Sequence, residues 1–303
     1  MRSRFLILLA ASLLIAASAC SVKKIAINSL ADALAETSSV YATDNDLELV
    51  RDALPFGLKT IEALIVKAPR HQGLLVSAAS GFTQYSYAFV QLDADLLQPS
   101  APSRAREERL RAKALYLRAR EYAFRALAVK HPRFEEELRR DPALALSRTK
   151  SADVPALYWL AASWAAAISS DKEDMDLVAD LHLIEPIINR CLQLDEDYDN
   201  GALHDLAISF DGGRSQSQGG SIERARKHFE KARELSHGKR LSALISLAEN
   251  VSVATENRGE FERLLQSVLA FDVNSAPEYR LANLIAQKRA RFLLGQIDEL
   301  FMN

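Results

Sequence analysis

Between Phe82 and Gln91 the chain reads FTQYSYAFVQ, and its aromatic and amide side chains fall on two faces of a helix. Spacings of three and four residues stack Phe82, Tyr85 and Phe89 on one face, while Tyr87 with Gln84 and Gln91 occupies another. Aromatic groups on more than one side of a helix mean either packing on several sides or the lining of a cavity. In a cavity, flat rings supply apolar area and the phenol and amide groups orient a guest. Phe82, Tyr85, Tyr87 and Phe89 are therefore ligand- or pore-lining candidates, with core packing between helices as the competing assignment. Trp159 joins them, because in YWLAASWAAAISS it lies off the face that Trp164 shares with Leu157 and Leu160. That position leaves it free to meet a ligand or a neighbouring subunit.

Residues able to carry covalent or metal chemistry are sparser. Asp180, His182, His204 and Asp205 put two carboxylates and two imidazoles on consecutive helices. Their spacing matches no zinc pattern, so hydrogen bonding between helices is the default expectation. The stretch DGGRSQSQGGS is as glycine-rich as a phosphate loop, yet no Lys-Ser or Lys-Thr follows it and no strand precedes it. Its Arg214, Gln216 and Gln218 are instead partner-docking candidates, with a plain solvated connection as the alternative. No Ser-His-Asp order, nucleophile elbow or paired-carboxylate arrangement stands out. No catalytic residues, no metal and no cofactor are therefore expected.

Thiol chemistry divides between two positions, since the chain has 2 Cys. Arg2 and Arg4 precede an apolar run from Phe5 to Ala17, and Ala17-Ser18-Ala19 lead into Cys20. A basic start, a short apolar core and small residues before the cut mark a secretory signal peptide over residues 1–19. The run is too short to span a bilayer comfortably. Cys20 directly after small residues resembles a bacterial lipoprotein box, which makes its sulfur the lipidation site. Ser21 in place of Asp fits the outer-membrane sorting pattern. Residues 20–44 then form the lipidated N-terminus and tether. Cys191 is left without an intrachain partner and reads as an inert thiol buried in an apolar helix.

The elements that position these groups are helical hairpins. Leu203, Leu206, Ala207 and Phe210 stand at the first-helix offsets of a tetratricopeptide repeat, large-x-x-large-small-x-x-aromatic. Ala225, Phe229 and Ala232 stand at the second-helix offsets, and small side chains at the crossing let antiparallel helices approach closely. The first-helix pattern occurs four times, the other copies being Leu75-Ala78-Ala79-Phe82, Leu157-Leu160-Ala161-Trp164 and Leu244-Leu247-Ala248-Val251. Second helices are more degenerate, with Pro186 inside one of them. The 103–130 stretch reads as one long amphipathic helix ended by His131-Pro132, and 276–301 as a long helix capping the open end of the stack. The fold class expected is all-α: stacked tetratricopeptide-like hairpins, an α-α superhelix, over residues 45–303.

Composition agrees and excludes other classes. Of 303 residues, 49% are hydrophobic and 26% charged, a balance that buries a core rather than staying disordered. A net charge of -2 supplies no general attraction to phosphate backbones, so no nucleic acid partner is expected.

Three segments carry a more specific likeness: FGLKTIEALIVKAPRHQGLLVSAASGFTQYSYAFVQ at 56–91, GGSIERARKHFEKARELSHGKRLSALISLAE at 219–249 and LANLIAQKRARFLLGQIDELF at 281–301. With the lipoprotein signal first and the capping helix last, the chain resembles the T component of tetratricopeptide-repeat-associated TRAP transporters over roughly residues 47–301. The resemblance implies a periplasmic, lipid-anchored, all-helical accessory that is not an enzyme and partners the TRAP solute-binding protein; Ser21 adds the expectation that the anchor sits in the inner leaflet of the outer membrane. It also implies an apolar or amphiphilic ligand in a helical cavity or pore, and self-association into a homo-oligomer, a trimer. The lengthened connection from Gly212 to Gly220 departs from the repeat pattern. A scaffold for envelope or outer-membrane assembly, binding peptide segments in a repeat groove, is the alternative that the repeats alone leave open.

Overall fold

The computed structural model describes residues 38–301 and the isolated Ser29. The signal segment, Cys20 and most of the tether lie outside the described residues. Within them the chain is helical throughout, and no helix is long and apolar enough to cross a membrane. The principal helices are α1 (Leu47–Lys67), α2 (Gln72–Tyr85), α3 (Leu92–Leu97), α4 (Pro102–Ala128), α5 (Val154–Ser170) and α6 (Leu181–Leu194), followed by α7 (Ala202–Gly212), α8 (Ile222–Leu235), α9 (Ser242–Leu247), α10 (Arg258–Ala270) and α11 (Arg280–Gly295). Two π-helical turns interrupt this series, Ser86–Gln91 between α2 and α3, and Ala248–Ser252 after α9.

Starts of helices follow local chemistry. The carboxylate of Asp46 accepts from the backbone N–H groups of Glu48 and Leu49, the Ser221 hydroxyl from Arg224 and the Asn257 amide from Glu260. Each satisfies a donor that the first turn leaves orphaned, a contribution of about 1 kcal/mol.

The repeat signatures mark the core. Ala79, Ala161, Ala207 and Ala248 are all buried where the first helix of a hairpin crosses its neighbour, and Phe82, Trp164, Phe210 and Val251 are buried beside them. Leu206 and Leu244 are partly buried at the edges of their clusters. The hairpins pair α2 and α3 with α4, α5 with α6, α7 with α8, and α9 with α10. The long helix at 103–130 is thus the second helix of the first hairpin, and it packs forward on α5 as well. Ala112, Ala119, Ala123 and Ala126 let it lie that close to both neighbours. At the chain end, 276–301 is not one helix: a 3-10 turn at Pro277–Tyr279 leads into α11, and a short turn of helix, Ile297–Leu300, follows.

The stack does not stay open. Helix α11 packs on α9 and α10 and also reaches back to α1, where Ile285 enters a small apolar cluster with Val50, Ala88, Phe89 and Leu92. Lys288 pairs with Asp93 at 3.2 Å, Arg289 with Asp95 at 2.6 Å, and the Arg280 guanidinium donates to the Thr43 carbonyl at 2.8 Å. First helices of successive hairpins contact one another in order, from α2 to α5, α7, α9 and α11. With α11 docked on the beginning of the series, these helices close into a ring.

Candidate functional site

The inner helices bring polar side chains together from segments far apart in sequence. In the first π-helical turn the hydrogen bonds run to the fifth residue, so side chains beyond it are rotated relative to an uninterrupted α-helix. Tyr87, Gln91 and Asp95 follow one another at steps of four along this segment. Tyr116, fully buried on α4, donates its hydroxyl to Gln91 Oε1 at 2.6 Å and fixes that face. The second π-helical turn carries Glu249. Arg289 on α11 joins the two: its Nη1 lies 2.6 Å from Asp95 Oδ2, its Nε 2.9 Å from Glu249 Oε1, and its Nη2 also contacts the Glu249 carboxylate. Burial opposes the charge on Arg289, but Glu249 and Asp95 outweigh it and hold the guanidinium protonated beyond its ordinary range.

A second polar group lies between α7 and α9. Ser246 donates to Asp205 Oδ1 at 2.6 Å, and one turn on Asn250 donates to the Ser246 carbonyl at 2.9 Å. Tyr158 on α5 stands beside it, with its ring edge-on to Trp159 at 4.8 Å and tilted against Tyr198 at 5.3 Å.

Charges of both groups act through space on Tyr87. Its side chain belongs to a residue 42% exposed. Even so, burial pushes its phenol well above its ordinary range, Glu249, Asp205 and Asp95 push it further, and Arg289 partly opposes them. Burial likewise raises the Tyr158 phenol, with Asp205 and Asp199 adding to it and Arg240 opposing. Asp205 therefore acts through space on both tyrosines. Arg289 also lines an open cleft of about 390 Å³, with Asp95, Arg109, Glu249, Phe292 and Leu300.

The aromatic candidates separate. Phe82 is buried and stacks on Tyr122 at 6.0 Å, with the Arg118 guanidinium 5.3 Å from its ring. Phe89 is buried in the closure cluster under Arg51, and Tyr85 packs against it at 5.8 Å. Trp159 is half-buried against the main core. Of the rings in segment 82–91, Tyr87 is the most exposed, and Tyr85 is partly buried. The loop from Gly212 to Gly220 is tightly tied. Arg214 lies 3.7 Å over the Phe210 ring, donates to the carbonyls of Phe210, Gln218 and Gly219, and pairs with Asp211 and Glu185. Its side chain is 9% accessible, whereas Gln216 and Gln218 project from an exposed turn.

The Asp180, His182, His204 and Asp205 set does not converge. Asp180 pairs with Arg139, His182 Nδ1 meets the Ala179 carbonyl, and Asp205 faces Ser246. His204 turns the other way, its Nδ1 2.9 Å from His228 Nδ1. No group of three or more His, Cys, Asp or Glu among the described residues is arranged to hold a metal ion. Cys191 is buried, and burial pushes its thiol up to about 12.

Sequence reasoning did not single out Asp95, Tyr158, Asp205, Glu249 and Arg289 as one site. Its available signal was the face Tyr87-Gln91, which one further step of four extends to Asp95, and the carboxylates inside otherwise small and apolar first-helix signatures.

Comparison with known proteins adds a finding that geometry alone does not carry. A family model described as TRAP transporter T-component matches residues 43–301. The chain is also 30% identical over 302 residues to a protein of Treponema pallidum (strain Nichols) described as uncharacterized, a likeness covering 94% of each chain.

Proposed function

Since the chain belongs to the TRAP transporter T-component family, and so has an accessory role in TRAP transport, we propose that it engages a TRAP solute-binding protein in the periplasm and accommodates an apolar or amphiphilic ligand within its helical ring. The observation that carries this reading is the family match across nearly the whole helical domain, with a closed ring whose inner side presents Tyr87 to water. Cys20 is the proposed lipid anchor, holding the domain at the inner leaflet of the outer membrane through the 20–44 tether. Tyr87 and Trp159 are the proposed guest-facing rings, with Phe82, Tyr85 and Phe89 packed behind them as their support. Gln216 and Gln218, on the turn that Arg214 stiffens, are proposed as partner contacts. Self-association, proposed as a trimer, draws support only for an apolar contact, from Leu49, Phe56 and Val66 exposed along α1, Phe56 by 80%.

The test is a pull-down of the mature chain, with Cys20→Ser for solubility, from a periplasmic extract of its own host, read by mass spectrometry. Recovery of a TRAP-type solute-binding protein is the expected result. Recovery of outer-membrane assembly factors alone, with that binding protein present in the input, overturns the transport reading in favour of an envelope scaffold. Sedimentation equilibrium of the same chain gives the subunit number.

A further inference from the structure

One face of α1 is left uncovered among the described residues. Leu49, Asp52, Phe56, Lys59, Ala63 and Val66 are exposed along it, with Glu48 and Lys67 exposed beside the two end members. The steps of three, four, three, four and three are those of a narrow coiled-coil seam rather than of a broad solvated face. The positions between them are half-buried or buried, and the helix packs on α2 from its other side.

This row is symmetric about its own middle. Turned end for end it falls onto itself: Leu49 onto Val66, Asp52 onto Ala63, Phe56 onto Lys59 and Glu48 onto Lys67. Two copies of α1 laid antiparallel therefore bring every exposed position of one against an exposed position of the other. Leu49 meets Val66 at both ends, and each Phe56 ring receives a Lys59 ammonium, which the negative face of the ring attracts. Glu48 and Lys67 flank the ends with opposite charge, and Asp52 stands about one turn from Lys59 of the second copy.

Charge decides the direction and the occupant. The first half of the row is acidic and the second basic, so parallel copies, whether two or three around one axis, would set Glu48, Asp52 and Lys59 against their own kind. A bilayer surface favours cations along an apolar row, whereas Glu48 and Asp52 repel anionic head groups. Within one chain Glu48 pairs with Arg51 at 3.3 Å and Lys59 with Glu62, whose carboxylate also accepts the Tyr122 hydroxyl at 2.7 Å. Glu48 and Lys59 stay exposed in these pairs, so a facing helix can share them.

We propose that α1 is a two-fold docking face for a second copy of this chain, antiparallel about the midpoint between Gly57 and Leu58, with Phe56 as its anchor. The inference rests on the proposed self-association and gives it a face and a symmetry. Such a contact joins chains in twos, and a three-fold association would use another surface. A seam about 30 Å long belongs with small, reversible interfaces of micromolar affinity.

Sedimentation equilibrium of the mature Cys20→Ser chain, at concentrations up to about 100 μM, tests this contact. The expected species is a dimer, or a hexamer where the three-fold association forms as well. Phe56→Glu is expected to weaken the two-fold contact at least roughly tenfold and to keep the wild-type far-UV dichroism, since that ring is exposed. Glu48→Lys and Lys67→Glu each set like charges across both ends of the seam and are expected to weaken it severalfold. An equimolar mixture of these two variants, one basic and the other acidic at both ends, should associate as tightly as the wild type, a rescue that a role in folding alone does not give. A dimer that survives Phe56→Glu, or a mixture that fails to recover, overturns the antiparallel contact. A trimer indifferent to all three substitutions keeps the proposed three-fold association and removes this inference, and a monomer throughout the range removes both. Recovery of the solute-binding protein is read separately, so the transport reading stands or falls by its own test.

Discussion

His204 and His228 meet nitrogen to nitrogen at 2.9 Å, which requires one neutral ring to donate from Nδ1 and the other to accept there. Protonating both destroys the bond and places two like charges between α7 and α8. His204 is 3% exposed, and burial, then His228 and Lys231, lower its pKa to about 4 against the opposing pull of Asp197 and Glu196. Burial and Arg224 lower His228 as well, with Asp211 and Glu196 opposing. An unfolded chain takes up these protons near pH 6.5, whereas the fold resists until about pH 4 for His204. Stability from the neutral pair is therefore complete above about pH 6.5 and is lost as pH falls toward 4, on the order of 3 kcal/mol for His204. Urea midpoints measured at pH 7.5 and 5 are expected to differ accordingly, and His204→Gln should flatten the difference. At this scale the pattern Asp180-His182-His204-Asp205 hinted at interhelical bonding, but His182 turns to the Ala179 carbonyl just before it and the partner of His204 is set by a helix later in the chain.

At the scale of elements, the connection between α7 and α8 shows how a loop that looked slack in sequence becomes rigid. Eleven residues of Gly, Ser and Gln with one Asp and one Arg suggest mobility, yet Arg214 folds back and donates to the carbonyls of Phe210, Gln218 and Gly219. Asp211, 6% exposed, then receives both Arg214 and Arg224. Gly220 is required by close approach: a Cβ there would lie 2.0 Å from the Arg214 carbonyl oxygen. Gly220→Ala is expected to destabilise the protein by about 1–3 kcal/mol, seen as a lower thermal midpoint with faster proteolytic cutting between 212 and 220. The π-helical turns belong to the same scale. Periodicity foresees a helix through 82–91 but not its wider hydrogen-bond register, because α and π turns share nearly the same side-chain preferences and neighbouring helices choose between them.

At the scale of the whole molecule, ring closure depends on contacts between residues 194 or 195 positions apart in sequence. Arg289, 15% accessible at its side chain, is the centre of that closure, since its loss leaves Glu249 without its cation and Asp95 with only Arg109. Arg289→Met is expected to cost about 3 kcal/mol, to lower the melting point by several degrees and to enlarge the radius of gyration measured by X-ray scattering. Arg258→Ala, which removes an exposed pair with Asp298, should leave both nearly unchanged and serves as the comparison.

Hairpins, their crossing alanines and their order were legible because they are encoded locally: spacings of three and four within one helix decide which side is apolar, whatever lies across from it. For the same reason Tyr87 could be set apart from Phe82 and Phe89 by face alone. The convergence of Asp95, Tyr158, Asp205, Glu249 and Arg289 was not legible, because each is an ordinary polar residue on its own helix. Their meeting depends on the small rotation between successive hairpins, summed until α11 returns to α1. That sum is a property of packing across many interfaces at once, so the helices could be read from the chain and the ring, with the charges it encloses, only from the fold.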